Sequence, residues 1–425
     1  MPKTHETKFV NSLFLTNLIQ TQYGESEVKI KTYDVEPATA EINDPYARSS
    51  MNRILVKYTS KESPTENLIT FVAKIKPAEG KLVAEFEKSD VFDKEIFVYK
   101  NVIPKMIATI SKLGGAVELA PQLIYSSDVS SNILVLEDLT VRGFSVENQQ
   151  LGLNLEQSKM AIEKLAFFHA ASATQLIEHP NELSKFTKGT FHSNHMDKLK
   201  YFVNALTTVA DNASELGINA DVANKLKTLP QKALQKAIEA YGSDCHGFKV
   251  LNHGDFWTNN IMYKYDNTEL VDAVFIDFQN CVVGSPIIDL VYFLTSSPSY
   301  DVLEKSKDEL IYIYHETLSL LLQRLNYKKT VPSLIDLQVE LLKYGALEVI
   351  FSLTTAPFLR TKNAQNTPAM QPTLYNEGQT IDIMPVLKTH ASHINQQLKD
   401  YELRGLLDWG AAESKIKGLM GRFQK

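Results

Sequence analysis

The sequence predicts an α+β fold in two lobes, a small β-rich N-terminal lobe and a large, mostly helical C-terminal one, on three observations. Short apolar runs rich in branched side chains gather before residue 140. Helical periodicity dominates after about residue 141. The length of 425 residues exceeds what a single hydrophobic core usually serves. The boundary is expected just after Leu136, giving lobes of 1–136 and 137–425.

In the N-terminal lobe the strand runs are Ile54–Tyr58, Leu68–Ile75 and Ile133–Leu136. One helix interrupts them, because Val91, Phe92, Glu95, Ile96, Val98 and Tyr99 recur at mostly helical spacing, with Pro104 read as its stop. Helices in the second lobe are expected near 155–178, 193–211, 219–241, 301–326, 333–356 and 378–403. The exception is 249–283, where two apolar runs flank a polar turn at Lys264–Glu269 and suggest a hairpin inside a helical lobe. The Asn363–Pro372 segment reads as an irregular loop.

Composition excludes several classes. Hydrophobic residues at 44% and charged residues at 22% are those of a globular chain, not of a disordered, collagenous or disulfide-built one. A net charge of −6 provides no long-range attraction for a polyanion, so no nucleic-acid partner is expected. Cys245 and Cys281 are the only cysteines, lack metal-ligand spacing and read as ordinary buried thiols. Near the N-terminus Phe9, Val10, Leu13, Phe14, Leu18 and Ile19 are interrupted by polar residues, an amphipathic pattern unlike a signal peptide, and nowhere do 18 apolar residues run without charge. A cytoplasmic protein is expected, with no membrane association and no obligate protein partner.

Four local patterns carry chemistry, and their order matters more than any one of them. Residues 253–260 read HGDFWTNN, which fits H-x-D-x-x-x-x-N, the spacing of a kinase catalytic loop. In phosphoryl transfer the aspartate, here Asp255, accepts or orients the proton of the acceptor hydroxyl. The asparagine, here Asn260, offers an uncharged oxygen to Mg²⁺ on the phosphates. About twenty residues on, the buried-strand pattern Val274-Phe275-Ile276 ends in Asp277-Phe278, the place of the principal Mg²⁺ ligand. Upstream, Lys74 lies inside a β-run and Glu95 about twenty residues later on the helix, as a phosphate-binding lysine and its partner carboxylate would; Lys76 is a weaker rival on the same strand face. The strand before Glu137, Asp138 and Leu139 empties into a linker whose backbone could bind an adenine edge. His169 reads as a satisfied core histidine and His253 as a brace for its loop, while helix capping alone could explain Asp289.

The chain resembles the ecdysteroid-kinase-like family, also called CHK-kinase-like, relatives of choline and aminoglycoside kinases with a bilobal protein-kinase-like fold. The resemblance rests on LVLEDL at 134–139, LAFFHAAS at 165–172, LNHGDFWTNNIMY at 251–263, VFIDFQ at 274–279 and SPIIDLVYFL at 285–294. Trp257 and Gln279 look particular to that family. By position, the resemblance implies that Asp255 is the catalytic base, that Asn260 and Asp277 are metal ligands, and that Lys74 and Glu95 are the phosphate lysine and its partner. It also implies that Asp289 is a buried aspartate beside the catalytic loop. The nucleotide loop departs from the family pattern: residues 43–50 read NDPYARSS and lack the usual glycine, leaving Ser49 and Ser50 as alternative donors. The expected activity is transfer of the ATP γ-phosphate, with Mg²⁺, to a hydroxyl of a small apolar metabolite such as an ecdysteroid or hydroxylated xenobiotic. A choline-, sugar- or aminoglycoside-type kinase, or a weakly catalytic binding protein of the same fold, remains the alternative.

Overall fold

The structure is a computed structural model that describes residues 10–38, 50–76, 90–127, 133–183, 185–192, 196–242, 247–361 and 383–408. Ser49, the 43–48 stretch of the nucleotide loop, Cys245 and the Asn363–Pro372 loop lie outside these residues, and Ser50 enters as the first residue of a strand. The described residues form two compact units: one within Met1–Ser111, Gly115–Ser145 and Met262–Asn280, the other within Lys112–Gly114, Val146–Ile261 and Cys281–Lys425. The α+β class is as expected.

The first unit is built on an antiparallel sheet of β1 (Lys29–Pro37), β2 (Ser50–Thr59), β3 (Asn67–Ile75), β4 (Leu123–Ser127) and β5 (Ile133–Glu137), in the order β1-β2-β3-β5-β4. Alternation sets its faces: Ile54, Val56 and Tyr58 of β2 and Phe71, Ala73 and Ile75 of β3 are buried at every second position. Leu15, Leu18 and Ile19 of the Ser12–Tyr23 helix belong to the same core. That helix starts where Asn11 accepts the Phe14 N–H at 2.9 Å. Strands β1 and β4 carry weak sequence signals, since β1 is mostly exposed and both contain register shifts that break the two-residue period.

Pro104 does not stop the helix that interrupts the strands. The Val91–Phe97 helix widens into a π-turn at Val98–Val102 and continues as Ile103–Ser111. A proline is tolerated in the first turn of a helix, where its missing N–H has no obligatory partner, and the widened turn supplies a new first turn.

The second unit is helical. Leu155–Glu178 runs along Tyr300–Arg324, starting in a capping box in which Asn154 and Gln157 exchange backbone-to-side-chain hydrogen bonds at 2.8 and 2.9 Å. Three expected helices are divided, 378–403 among them, which within the described residues runs as Met384–Thr389 and Ala391–Leu403. The 219–241 stretch breaks into Ala220–Lys227 and Pro230–Ala240, because Pro230 cannot donate within a continuous helix but suits the start of one. The 333–356 stretch breaks at Tyr344 into Leu334–Lys343 and Gly345–Thr354. The hairpin of 249–283 becomes two pairings: Ile261–Asp266 with Glu269–Phe275, and Val250–Asn252 with Val282–Gly284. Among the described residues no helix is long and apolar enough to cross a membrane.

A buried carboxylate ties three helices of this unit. Glu348 accepts from Lys307 and, at 2.8 Å, from Arg404. Burial pushes its pKa up, but the two cations outweigh burial and hold it below its ordinary value of 4.5. The folded value thus lies below the unfolded one, so the group adds stability above the ordinary value and loses it as pH falls through the folded value. Glu348→Gln should cost stability at neutral pH, toward the low end of about 3–5 kcal/mol because both cations are partly exposed. Thermal unfolding of parent and variant should show that gap narrowing as pH drops below about 4; a gap that is constant with pH would rule the charge pairing out as its cause.

Candidate active site

Lys74 sits on β3 between Ala73 and Ile75, so the strand period turns it away from the core face those residues fill. It is nonetheless buried, and its ammonium reaches Glu95 Oε2 at 2.6 Å and Asp277 Oδ1 at 2.7 Å. Glu95 comes from the Val91–Phe97 helix. Asp277 follows the Glu269–Phe275 strand in the left-handed region at φ 66°, a conformation that aspartate tolerates better than most residues. Gln279 donates Nε2–H to Asp277 Oδ2 at 3.1 Å, and the Phe278 ring meets Tyr99 edge to face at 5.3 Å. Both contacts fix the turn that presents Asp277.

Electrostatics shifts both Lys74 and Glu95. Burial favours loss of the Lys74 proton, yet the carboxylates of Asp277 and Glu95 more than offset it and hold the lysine above its usual range. Burial raises Glu95 most, Lys74 opposes the rise, and the Asp277 charge adds to it. Glu95 is thus the enclosed partner, whereas the Asp277 side chain remains 28% exposed. The arrangement is a fixed ammonium beside a carboxylate that is still open to a ligand.

Glu137 and Asp138 are occupied within the same unit. Arg142 pairs with Glu137 at 3.0 Å and with Glu118 at 2.7 Å. Asp138 accepts from Arg53 at 2.8 Å and from the Thr140 N–H at 3.1 Å, which caps the short turn Leu139–Arg142. Burial works against ionisation of Asp138, but these donors prevail and lower its pKa.

In the second unit the 253–260 loop hangs from Asp289. Its Oδ2 accepts the His253 N–H at 2.6 Å and its Oδ1 the Gly254 N–H at 2.8 Å. Gly254 adopts φ 80°, where a side chain would strain the loop. His169 lies 3.1 Å from Asp289 Oδ2 through Nε2 and 2.7 Å from the Tyr314 hydroxyl through Nδ1. Burial lowers the His169 pKa, more than Asp289 can restore, so the ring is neutral; Nε2–H donates to the carboxylate and Nδ1 accepts from Tyr314. Asp289 opens the Ile287–Ser296 helix, but its carboxylate supports the loop rather than capping that helix.

The loop is also braced from within. Asn260 donates Nδ2–H to the Asp255 carbonyl at 2.8 Å, leaving its amide oxygen as an acceptor. The Thr258 N–H donates to Ser297 Oγ at 3.0 Å. Phe256 packs on Phe293 at 5.2 Å, and the buried His253 ring lies 6.1 Å from that of Phe256. Tyr292 hydrogen-bonds the Asp255 side chain; burial first and the Asp255 charge second hold its phenol far above the usual range, so its O–H is the donor. In the sequence Tyr292 stands only within the SPIIDLVYFL stretch, although it lies three residues, nearly one helical turn, after Asp289.

In the first unit Asp277 presents a partly exposed carboxylate, and in the second Asn260 keeps its amide oxygen as an acceptor. Among the described residues no three His, Cys, Asp or Glu side chains gather in a metal-binding group. A hard carboxylate oxygen such as that of Asp277 fits Mg²⁺, which usually keeps several waters and takes phosphate oxygens rather than filling a protein cage.

Residues 44–327, about two thirds of the chain, match the sequence profile of the ecdysteroid kinase-like family. The chain belongs to that family. Lys74, Glu95, Asp255, Asn260, Asp277 and Asp289 all fall within the matched residues. No curated protein matches the sequence. Solved structures similar to the chain include the ternary complex of streptomycin, ATP and APH(2")-IIa, 13% identical, covering 84% of this chain and 98% of that one with a TM-score of 0.33. A Plasmodium vivax ethanolamine kinase is 12% identical, covering 88% and 94% with a TM-score of 0.37. A candidate aminoglycoside phosphotransferase from Ralstonia eutropha is 12% identical, covering 91% and 97% with a TM-score of 0.43.

Proposed function

We propose that this family member transfers the γ-phosphate of ATP to a hydroxyl group of a small molecule. The observation that carries the reading is the buried, charged Lys74 held between Glu95 and the partly open Asp277. A structural ion pair needs one carboxylate; a lysine kept cationic beside a second, solvent-reachable carboxylate suits phosphate oxygens and the cation that accompanies them.

In this proposal Lys74 binds phosphate oxygens and neutralises the charge that grows on them. Glu95 keeps the ammonium in place. Asp277 and Asn260 hold Mg²⁺, which when bound supplies further charge neutralisation on the phosphates. Asp255 aligns the acceptor hydroxyl and takes its proton, with Tyr292 fixing the carboxylate. Asp289 is a positioning residue that acts through the His253 and Gly254 N–H groups, and adenine binds at the backbone of Glu137–Leu139. The acceptor is proposed to be apolar, an ecdysteroid or hydroxylated xenobiotic, in a cytoplasmic protein that needs no nucleic acid and no partner chain.

The direct test is transfer of labelled phosphate from ATP with Mg²⁺ to a panel of ecdysteroids, other hydroxylated apolar compounds, choline, sugars and aminoglycosides. Labelling of the apolar class alone supports the proposal in full, and labelling of a cationic or sugar acceptor replaces its acceptor. No transfer and no ATP binding would overturn it. Asp277→Ala should abolish the dependence of ATP affinity on Mg²⁺. Calorimetry showing the same magnesium-linked affinity in variant and parent would remove Asp277 as a ligand.

A further inference from the structure

Arg360 follows the short Ala356–Leu359 helix, beyond the residues that match the family. It is the one arginine among the described residues that is buried, at 5% exposure. Arg53, Arg142 and Arg404 each pair with carboxylates, yet no carboxylate pairs with Arg360 among the described residues. Its Nη2–H donates to the Pro298 carbonyl at 2.6 Å, its guanidinium carbon lies 4.5 Å from the centre of the Tyr300 ring, and its Nε–H has no acceptor. Gly152 makes the approach possible, since a Cβ there would come within 2.9 Å of Nη1.

A guanidinium cannot shed its proton at any ordinary pH, so burying it without an opposite charge is unfavourable. The carbonyl and the ring face offset part of that cost, but neither cancels the charge. Among the described residues the titratable groups beside Arg360 supply no anion either. Burial, followed by Arg360 itself, pushes His390 below its usual range and His393 down to about 3, so both imidazoles are neutral. Burial keeps the Tyr300 phenol protonated, with its hydroxyl on His390 Nδ1 at 2.7 Å. His390 Nε2 is met by Thr361 Oγ1 at 3.1 Å, and His393 stacks on Tyr300 at 3.5 Å with its buried Nε2 unpartnered.

We propose that Arg360 anchors a binding site for a small oxyanion, a carboxylate, sulfate or phosphate group, with its Nε–H as the donor and the Tyr300 ring alongside. This inference is independent of the kinase reading. Pro298 adjoins Ser297, whose hydroxyl holds the Thr258 N–H of the 253–260 loop, so the site lies one residue from a support of that loop.

The test uses the full chain and three probes: inorganic phosphate, sulfate and acetate. Nuclear magnetic resonance should show a saturable shift of the Arg360 Nε–H signal, and the His393 imidazole should titrate at higher pH with the probe present, because the anion offsets the Arg360 charge. A response to phosphate and sulfate alone identifies a tetrahedral oxyanion site; a response to acetate as well identifies a carboxylate-competent one. An Nε–H signal unmoved by all three overturns the proposal. Arg360→Met supplies a second measurement: the probes should raise the melting temperature of the parent more than that of the variant. Equal increases would place the anion elsewhere and also overturn it. The resonance experiment on the parent decides the matter if the variant does not fold.

Discussion

Asp255→Asn is expected to leave a folded, nucleotide-binding protein whose turnover falls by roughly 10²–10⁴-fold, the usual contribution of a positioned acid or base. The substitution is gentle because the carboxylate accepts a hydrogen bond from Tyr292, and an amide oxygen can accept the same bond. The Asn260 brace uses the Asp255 backbone carbonyl and is untouched. What disappears is the charge that aligns the acceptor hydroxyl and takes its proton. Single-turnover rates with saturating ATP and the acceptor found by the panel would measure the loss. A variant as fast as the parent would take Asp255 out of the mechanism.

Lys74→Met should have two separable consequences. Turnover should fall by about 10²–10³-fold, the scale for losing one charge-stabilising donor in the transition state. Stability should fall as well, because Glu95 and Asp277 then face each other without a cation; breaking a buried pair costs about 3–5 kcal/mol. The partial exposure of Asp277 places the loss toward the lower figure. Lys74→Met combined with Glu95→Gln separates the two effects, since it removes the enclosed carboxylate along with the ammonium. Thermal unfolding should recover much of its midpoint while turnover stays low. Recovery of turnover in the double variant would mean that Lys74 acts only by keeping the fold intact.

Much of this site was legible along the chain. The alternation of Phe71, Ala73 and Ile75 placed Lys74 on the opposite strand face, and the lysine, rather than Lys76, makes the two ion pairs. The helix expected near 155–178 from its period is found at Leu155–Glu178, where the structure adds the Asn154–Gln157 capping box. His169 is the satisfied core histidine that its apolar stripe implied. The misplaced boundaries were at prolines and turns, where the outcome depends on what packs around the break. Pro104 was absorbed by a π-turn, whereas Pro230 began a new helix.

The sequence by itself determined the residue types of the site, their order and the local elements that carry them, because strand alternation, helix period and capping are set by near neighbours. Only the tertiary structure decided which charge answers which. Lys74 meets Asp277 from 203 positions away, Asp289 turns from its own helix to the loop N–H groups, Tyr292 reaches Asp255, and Arg360 is buried without a carboxylate. Those pairings also set protonation, since desolvation and Coulomb interaction depend on distance through space and not along the chain.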